Sequence, residues 1–325
     1  MRRVKDLIVV GAGPAGLATA IAAASSGLDY EVVEKGALIN SILHFPRNMV
    51  FFTTPELLEI GGLPFVTPYE KPTQREALRY YRRVADTYEL RIALGEEVAA
   101  LERSEDRFRV VCRGSEGQHS REARNVVLAT GYYDHPNRLG VPGEDSPHVF
   151  HYYDEPHAYY RKRVVVVGGK NSAAIAALEL HRAGAAVTLV HRRAELGASI
   201  KYWIKPDIEN RLAEGSIAAR FETRVAEIRH RSVVIESHGT VEEVPADAVF
   251  LMTGYSPDVG LLRSAGVEID EATLEPRHDP ETLETNVPGL FVAGALVSGR
   301  QTSRIFIENG RFHGEAIVAA IRRRG

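Results

Sequence analysis

Gly11, Gly13 and Gly16, with Pro14 and Ala15 between them, form a Gly-x-Gly-x-x-Gly series directly after four apolar residues, Leu7, Ile8, Val9 and Val10. Glycines at that spacing allow a tight turn, a close approach of backbone to a pyrophosphate, and close contact between the next helix and the sheet. Residues 17–24 are small and helix-forming, so the turn opens a helix whose first N–H groups and partial positive charge suit an anion. A strand before and a helix after are two of the conditions that separate a nucleotide turn from a merely structural one; the third is an acid ending the next strand. Residues 30–33 read as that strand and lead to Glu34, 23 positions (34 − 11) beyond Gly11. The spacing is close to the ~20 expected for a carboxylate that binds a ribose diol. A dinucleotide site is predicted here.

The pattern then recurs. Residues 163–167 are a strand, Gly168, Gly169, Lys170, Asn171, Ser172 and Ala173 make the turn, and 175–183 a helix ended by Gly184. A further strand, 186–190, ends at His191, Arg192 and Arg193, and His191 again stands 23 positions (191 − 168) beyond the first glycine. Two guanidinium groups where the first unit has an acid suit a 2′-phosphate, which they can grip bidentately. NADPH rather than NADH is therefore the predicted second nucleotide. Lys170 replaces the middle glycine; its ammonium can reach the phosphates as a point charge. Two buried strands, 125–129 and 247–252, end at Thr130-Gly131 and Thr253-Gly254, where a glycine lets a flat ligand approach the sheet edge.

These chemical positions need an α/β scaffold with two Rossmann-like dinucleotide-binding domains. Because a last strand (290–295) and a long helix (302–320) follow the second unit, the NADPH domain is expected to be inserted into the first. The predicted boundaries are 1–133 and 257–325 for the first domain and 134–256 for the second. Residues 73–88 read as a helix opened by a Thr73/Glu76 capping box, 203–212 as another helix, and 217–236 as two strands. A chain of 325 residues with a formal charge of −3 gives no electrostatic reason to expect nucleic acid or an anionic membrane. No run approaches the ~18 apolar residues of a membrane span, and Met1, Arg2 and Arg3 lead straight into a strand, so a cytoplasmic protein without a signal peptide is expected. The single cysteine, Cys112, lies in an alternating strand and reads as a buried thiol; it can form neither an internal disulfide nor a Cys-x-x-Cys pair. His148, His151 and His157, without a cysteine or a fixed helix, do not make a zinc pattern, and no metal site is expected.

The sequence resembles the thioredoxin reductase-like flavoproteins in residues 11–16, 34–36, 129–131, 168–173, 191–193, 253–255 and 292–294, which span the chain. Within that group it is most similar to the bacillithiol-disulfide reductases (the YpdA type), through residues 49–61, 168–173 and 305–314. The resemblance implies FAD in the first site and NADPH in the second. Gly11, Gly13, Pro14, Ala15, Gly16, Glu34, Lys35, Ser41, Val98, Thr130, Gly131, Gly294 and Ala295 would then face FAD. Gly168, Gly169, Lys170, Asn171, Ser172, His191, Arg192, Arg193, Thr253 and Gly254 would complete the cofactor-binding set. It also implies rotation of the inserted domain about connections near Tyr133 and Pro257, and at least a homodimer. The chain departs from the pattern in having neither a Cys-x-x-Cys pair nor a cysteine in the first glycine turn, where Ala15 stands, and in Ala295, where an acid is usual. Hydride would pass from NADPH to the flavin, and electrons would go on to a small disulfide or persulfide without a cysteine relay. The alternatives are a ferredoxin or flavodoxin reductase, whose partner is a small electron-carrier protein, and a flavoprotein that senses NADPH with little turnover. No acid–base catalyst is assigned. His44, Tyr132 and His313 would lie near the flavin, with packing or hydrogen-bonding roles.

Overall fold

The computed structural model describes residues 3–104 and 106–324; Met1 and Arg2, which entered the reading of the N-terminus, lie outside the described residues. The chain divides into two compact units. One holds the chain up to His44, Asn48–His135 and the stretch from Tyr255 onward; the other holds Phe45–Arg47 and Pro136–Gly254.

In the first unit, β1 (Lys5–Val10), α1 (Pro14–Ser25) and β2 (Tyr30–Glu34) open the chain, followed by α2 (Asn40–Leu43) and α3 (Gln74–Thr87). The capping box that opens α3 is present: Thr73 Oγ1 accepts the Glu76 N–H, and Glu76 Oε2 accepts the Thr73 N–H at 2.8 Å. Strands β3 (Ile92–Leu94), β4 (Glu97–Ser104), β5 (Arg107–Gly114) and β6 (Gly117–Leu128) complete the first pass. The stretch 125–129, read as a separate strand, is instead the end of β6. Its first half pairs antiparallel with β5 and its second half parallel with β1. The sheet order is β3-β2-β1-β6-β5-β4.

The second unit contains β7 (Val149–Phe150), β8 (Arg163–Val167), α4 (Asn171–Arg182), β9 (Ala186–Val190), α5 (Lys205–Ala213) and β10 (Ala218–Arg220). Then come β11 (Arg224–Arg229), β12 (Ser232–Ser237), β13 (Thr240–Pro245) and β14 (Ala248–Leu251). Its main sheet runs β10-β9-β8-β14-β7, and β11-β12-β13 form an antiparallel sheet against it. Residues 217–236 thus supply three strands rather than two, because Glu222 takes a left-handed φ of +51° and separates β10 from β11. The helix expected from Trp203 begins at Lys205, with Pro206 in its first turn, where a missing N–H costs nothing.

The chain returns to the first unit with α6 (Gly260–Ser264), β15 (Leu290–Val292), α7 (Ile307–Gly310) and α8 (His313–Arg322). β15 pairs parallel with β6 at Val126–Leu128, on the edge opposite β1, beyond the stretch that pairs β5. The long helix expected over 302–320 is broken in two. Asn309 takes the Phe306 N–H at 2.8 Å and donates to Arg304 O at 2.9 Å, so its side chain caps the start of α7 and helix begins only at Ile307, with a further interruption at Arg311 and Phe312. Interior-facing positions of the sheet, among them Ile8, Val10, Val126, Leu128, Leu290 and Val292, form one buried apolar cluster that fixes the strand ends.

Candidate functional site

In the first unit three parallel strands, β1, β6 and β15, end at one edge, and each end carries residues of the expected site. Gly11 follows β1 with φ +106°, and a Cβ on it would stand 2.6 Å from Ala129 O, just beyond β6. Gly16 is needed too, because a Cβ there would lie 1.9 Å from Gly11 O. Gly13 differs from both. Its φ is −75°, open to any residue, and an added Cβ would meet nothing within 4 Å. Neither backbone nor packing demands a glycine there; what it preserves is open space at the helix start, as a pyrophosphate requires.

Glu34 is 7% exposed and uses both carboxylate oxygens, Oε2 accepting the Ala12 N–H and Oε1 the Gly36 N–H, each at 2.8 Å. It therefore pins the glycine turn while retaining lone pairs for a ribose hydroxyl. Ala12 O in turn accepts the Ile39 N–H at 3.2 Å, which ties α2 and its half-buried Ser41 to the turn. Lys35 pairs with Asp134 at 2.8 Å, and Glu96 donates its N–H to Glu34 O, which brings half-buried Val98 to within two residues of that loop. Exposed Thr130, then Gly131 at φ +68°, continue from β6. Gly294 follows β15; its own Cβ would come 2.8 Å from the Ala15 Cβ, and half-buried Ala295 is next.

The second unit repeats this geometry. Gly168 N–H donates to Val190 O as Gly11 N–H does to Val33 O, and a Gly168 Cβ would stand 2.5 Å from Met252 O. Thr253 and Gly254 extend that strand end and are held by Asn137, whose O accepts from Thr253 Oγ1 and whose N–H donates to Gly254 O. Lys170 is exposed and adopts an extended φ of −119°, so the backbone here requires no glycine. Ser172 is exposed beside it, while Asn171 clamps the following loop by donating to Ser199 O and accepting the Lys201 N–H. Gly169, like Gly168, has no room for a side chain as the turn stands. Its Cβ would fall 2.3 Å from the imidazole of His191, whose ring lies over the turn where Glu34 reaches into the first. Burial, and then the charges of Arg193 and Arg192, hold His191 below the ordinary histidine range, and its Nε2 is buried without a hydrogen-bond partner. Arg192 and Arg193 are exposed and enter no ion pair among the described residues. Two unpaired guanidinium groups beside a neutral histidine form a ready anion site.

Among the remaining candidates, His44 is exposed with Nδ1 against Asn40 O, and burial pushes Tyr132 up. His313 accepts a hydrogen bond from the Gly294 N–H. Cys112 is fully buried, and burial pushes its thiol up. It meets Glu96 and His119 within 4.8 Å, but Arg121 fills the centre of that cluster, 2.6 Å from Glu96 and 2.7 Å from His119. A guanidinium already stands where a cation would sit. The Glu34 and His191 contacts with the turns were signalled only by their shared offset; the clamps of Asn171, Asn137 and Asp134 had no sequence signal.

Two copies of one nucleotide-binding turn, one ending in an acid and one in arginines, define a two-nucleotide oxidoreductase. Residues 8–294 match the family described as pyridine nucleotide-disulphide oxidoreductase, and the chain belongs to it. It is 44% identical over 322 residues to the bacilliredoxin reductase Bdr of Bacillus subtilis (strain 168), covering 98% of this chain and 97% of that protein. The solved bacillithiol disulfide reductase Bdr (YpdA) from Bacillus cereus is similar with a TM-score of 0.97 at 40% identity, over 99% of this chain and 100% of that one. A ferredoxin–NADP reductase of Thermus thermophilus is 29% identical over 308 residues, 90% of this chain and 85% of its own.

Proposed function

We propose that the chain is an FAD-containing NADPH oxidoreductase that reduces a low-molecular-weight disulfide of the bacillithiol type, or a persulfide, without a cysteine relay. The observation that carries the reading is the pair of matched turns: Glu34 on the first, Arg192 and Arg193 on the second. Gly11, Gly13 and Gly16 would admit the pyrophosphate of FAD, and Glu34 its ribose, with Lys35, Ser41, Val98, Thr130, Gly131, Gly294 and Ala295 lining the rest. Gly168, Gly169, Lys170, Asn171 and Ser172 would carry the pyrophosphate of NADPH, with Thr253 and Gly254 at the neighbouring strand end. Arg192 and Arg193 would hold its 2′-phosphate, and His191, kept neutral, would cover the turn. FAD, when bound, supplies a carrier that takes two electrons from NADPH and passes them to the disulfide. The net reaction consumes NADPH, a proton and one disulfide, and yields NADP⁺ and two thiols.

A ferredoxin-type reductase is the second reading, favoured by the single cysteine being buried and by the likeness to the Thermus protein. The reading also places the reaction in the cytoplasm, in a homodimer or larger homo-oligomer, which light scattering on purified protein checks. Anaerobic stopped-flow separates the acceptors. NADPH, and not NADH, should bleach the bound flavin rapidly, and bacillithiol disulfide should restore its absorbance rapidly. Recovery only with oxidised ferredoxin would give the second reading; slow recovery with every acceptor would give the sensing flavoprotein.

A further inference from the structure

His313 is the first residue of α8, and its Nδ1 accepts the Gly294 N–H at 3.1 Å. Since that nitrogen accepts, the imidazole is neutral and its proton resides on Nε2. Gly294 opens the short helical turn after β15, so its N–H has no partner within the turn and depends on the side chain. It stands at φ +65° hard against Ala15, in the first nucleotide turn. One residue beyond His313, Gly314 lies directly on the backbone of Thr19 in α1. A single side chain thus links the C-terminal helix to the end of β15, at the point where β15 meets the glycine turn.

We propose that His313 is a positioning residue of the first nucleotide site and makes its grip sensitive to protons. Neutral, it holds the Gly294 turn against Ala15. Protonated, its Nδ1 becomes a donor facing the Gly294 donor, and the turn is released. The inference rests on the reading that this site holds FAD. Burial, with the nearby His278 as the second influence, keeps the imidazole below the ordinary histidine range, so the neutral form prevails at neutral pH. The elements packed around it add little: α1, β15 and the Gly294–Ser298 turn carry no ionisable side chain, while α7 and α8 contribute Glu308, Glu315 and Arg322, with Arg311 between them.

The test is flavin release from purified holoprotein, followed by free-flavin fluorescence from about pH 8 to about pH 5, the span over which histidine titrates. Wild-type release should accelerate as pH falls. H313A should release flavin about tenfold faster at neutral pH, the loss expected for one buried hydrogen bond, and show no such acceleration. H313N, whose amide oxygen can accept the Gly294 N–H but does not titrate, should keep the wild-type rate at neutral pH and lose the acceleration. Wild-type rates and pH profile in H313A, or an acid acceleration in H313N equal to that of wild type, would overturn the proposal. If H313A does not fold, the pH profile of H313N decides alone. Wild-type protein purified without flavin would remove the reading of the site, and this inference with it.

Discussion

Cys112 tests the chemistry most directly at the scale of one residue. It is the chain's single cysteine and is fully buried beside Arg121, so no thiol is available to form a mixed disulfide. C112A should therefore retain wild-type rates of flavin reduction and disulfide turnover, with a stability loss of about 1 kcal/mol from the small void. A variant that reduces NADPH-linked flavin normally but loses disulfide turnover would show that the thiol does take part. For the arginines, R192A/R193A should raise the KM for NADPH about tenfold or more while leaving that for NADH unchanged, the loss of two charge-assisted contacts to one phosphate. An equal loss with both nucleotides would place the 2′-phosphate elsewhere. The positions of Glu34 and His191 were legible because a strand-turn-helix unit repeats at a constant offset. What those side chains do was not: whether a residue at that offset takes a backbone N–H, as Glu34 does, or covers a glycine, as His191 does, depends on how far the side chain reaches across the turn.

At the level of elements, two glycines separate what binding needs from what folding needs. G314A would bring a Cβ within 2.5 Å of the Thr19 Cα and 2.6 Å of its nitrogen, both backbone atoms, so α8 must move off α1. The cost should be about 1–3 kcal/mol, as for other overpacked contacts, visible as a lowered midpoint in thermal unfolding. G13A meets no neighbour and suits φ −75°, so the folded protein should be as stable as wild type or slightly more so, yet purify without flavin. Full flavin content in G13A would mean that the pyrophosphate does not lie on this turn. Elements set by local chemistry were readable in advance, as the capping box of α3 shows. Those decided by side-chain competition or long-range pairing were not. Asn309 caps the start of α7 and so delays a helix that propensity alone would begin earlier, and β6 changes partners midway, which no local pattern records.

For the molecule as a whole, acid should act in two stages, because two kinds of group are perturbed in opposite chemical senses. His151, His191 and His313 are each held below the ordinary value of 6.5, in every case with burial as the largest cause. A base whose folded value is depressed is protonated first in the unfolded chain, so stability begins to fall as pH drops through 6.5. The carboxylates come later. The Arg121 guanidinium holds Glu96 below its ordinary 4.5. The Arg163 side chain and N–H hold Asp247 well below the usual carboxylate range. At Asp29, burial pushes upward, but hydrogen bonds from Lys5 and Arg91 outweigh it. Each such contribution is fully present above the unfolded value and is lost as pH falls through and below it, so the second decline should begin below 4.5. Both units share this behaviour, since Glu96 and Asp29 belong to the first and Asp247 to the second. D247N keeps the shape of the side chain but gives up the charge that Arg163 requires. It should lower the thermal midpoint at neutral pH and leave less to lose below 4.5, while the decline from 6.5 stays as in wild type. Calorimetry across that range decides the matter: a D247N curve parallel to wild type through both stages would show that the Arg163–Asp247 pair, joining β8 to the entry of β14, contributes nothing to the acid response.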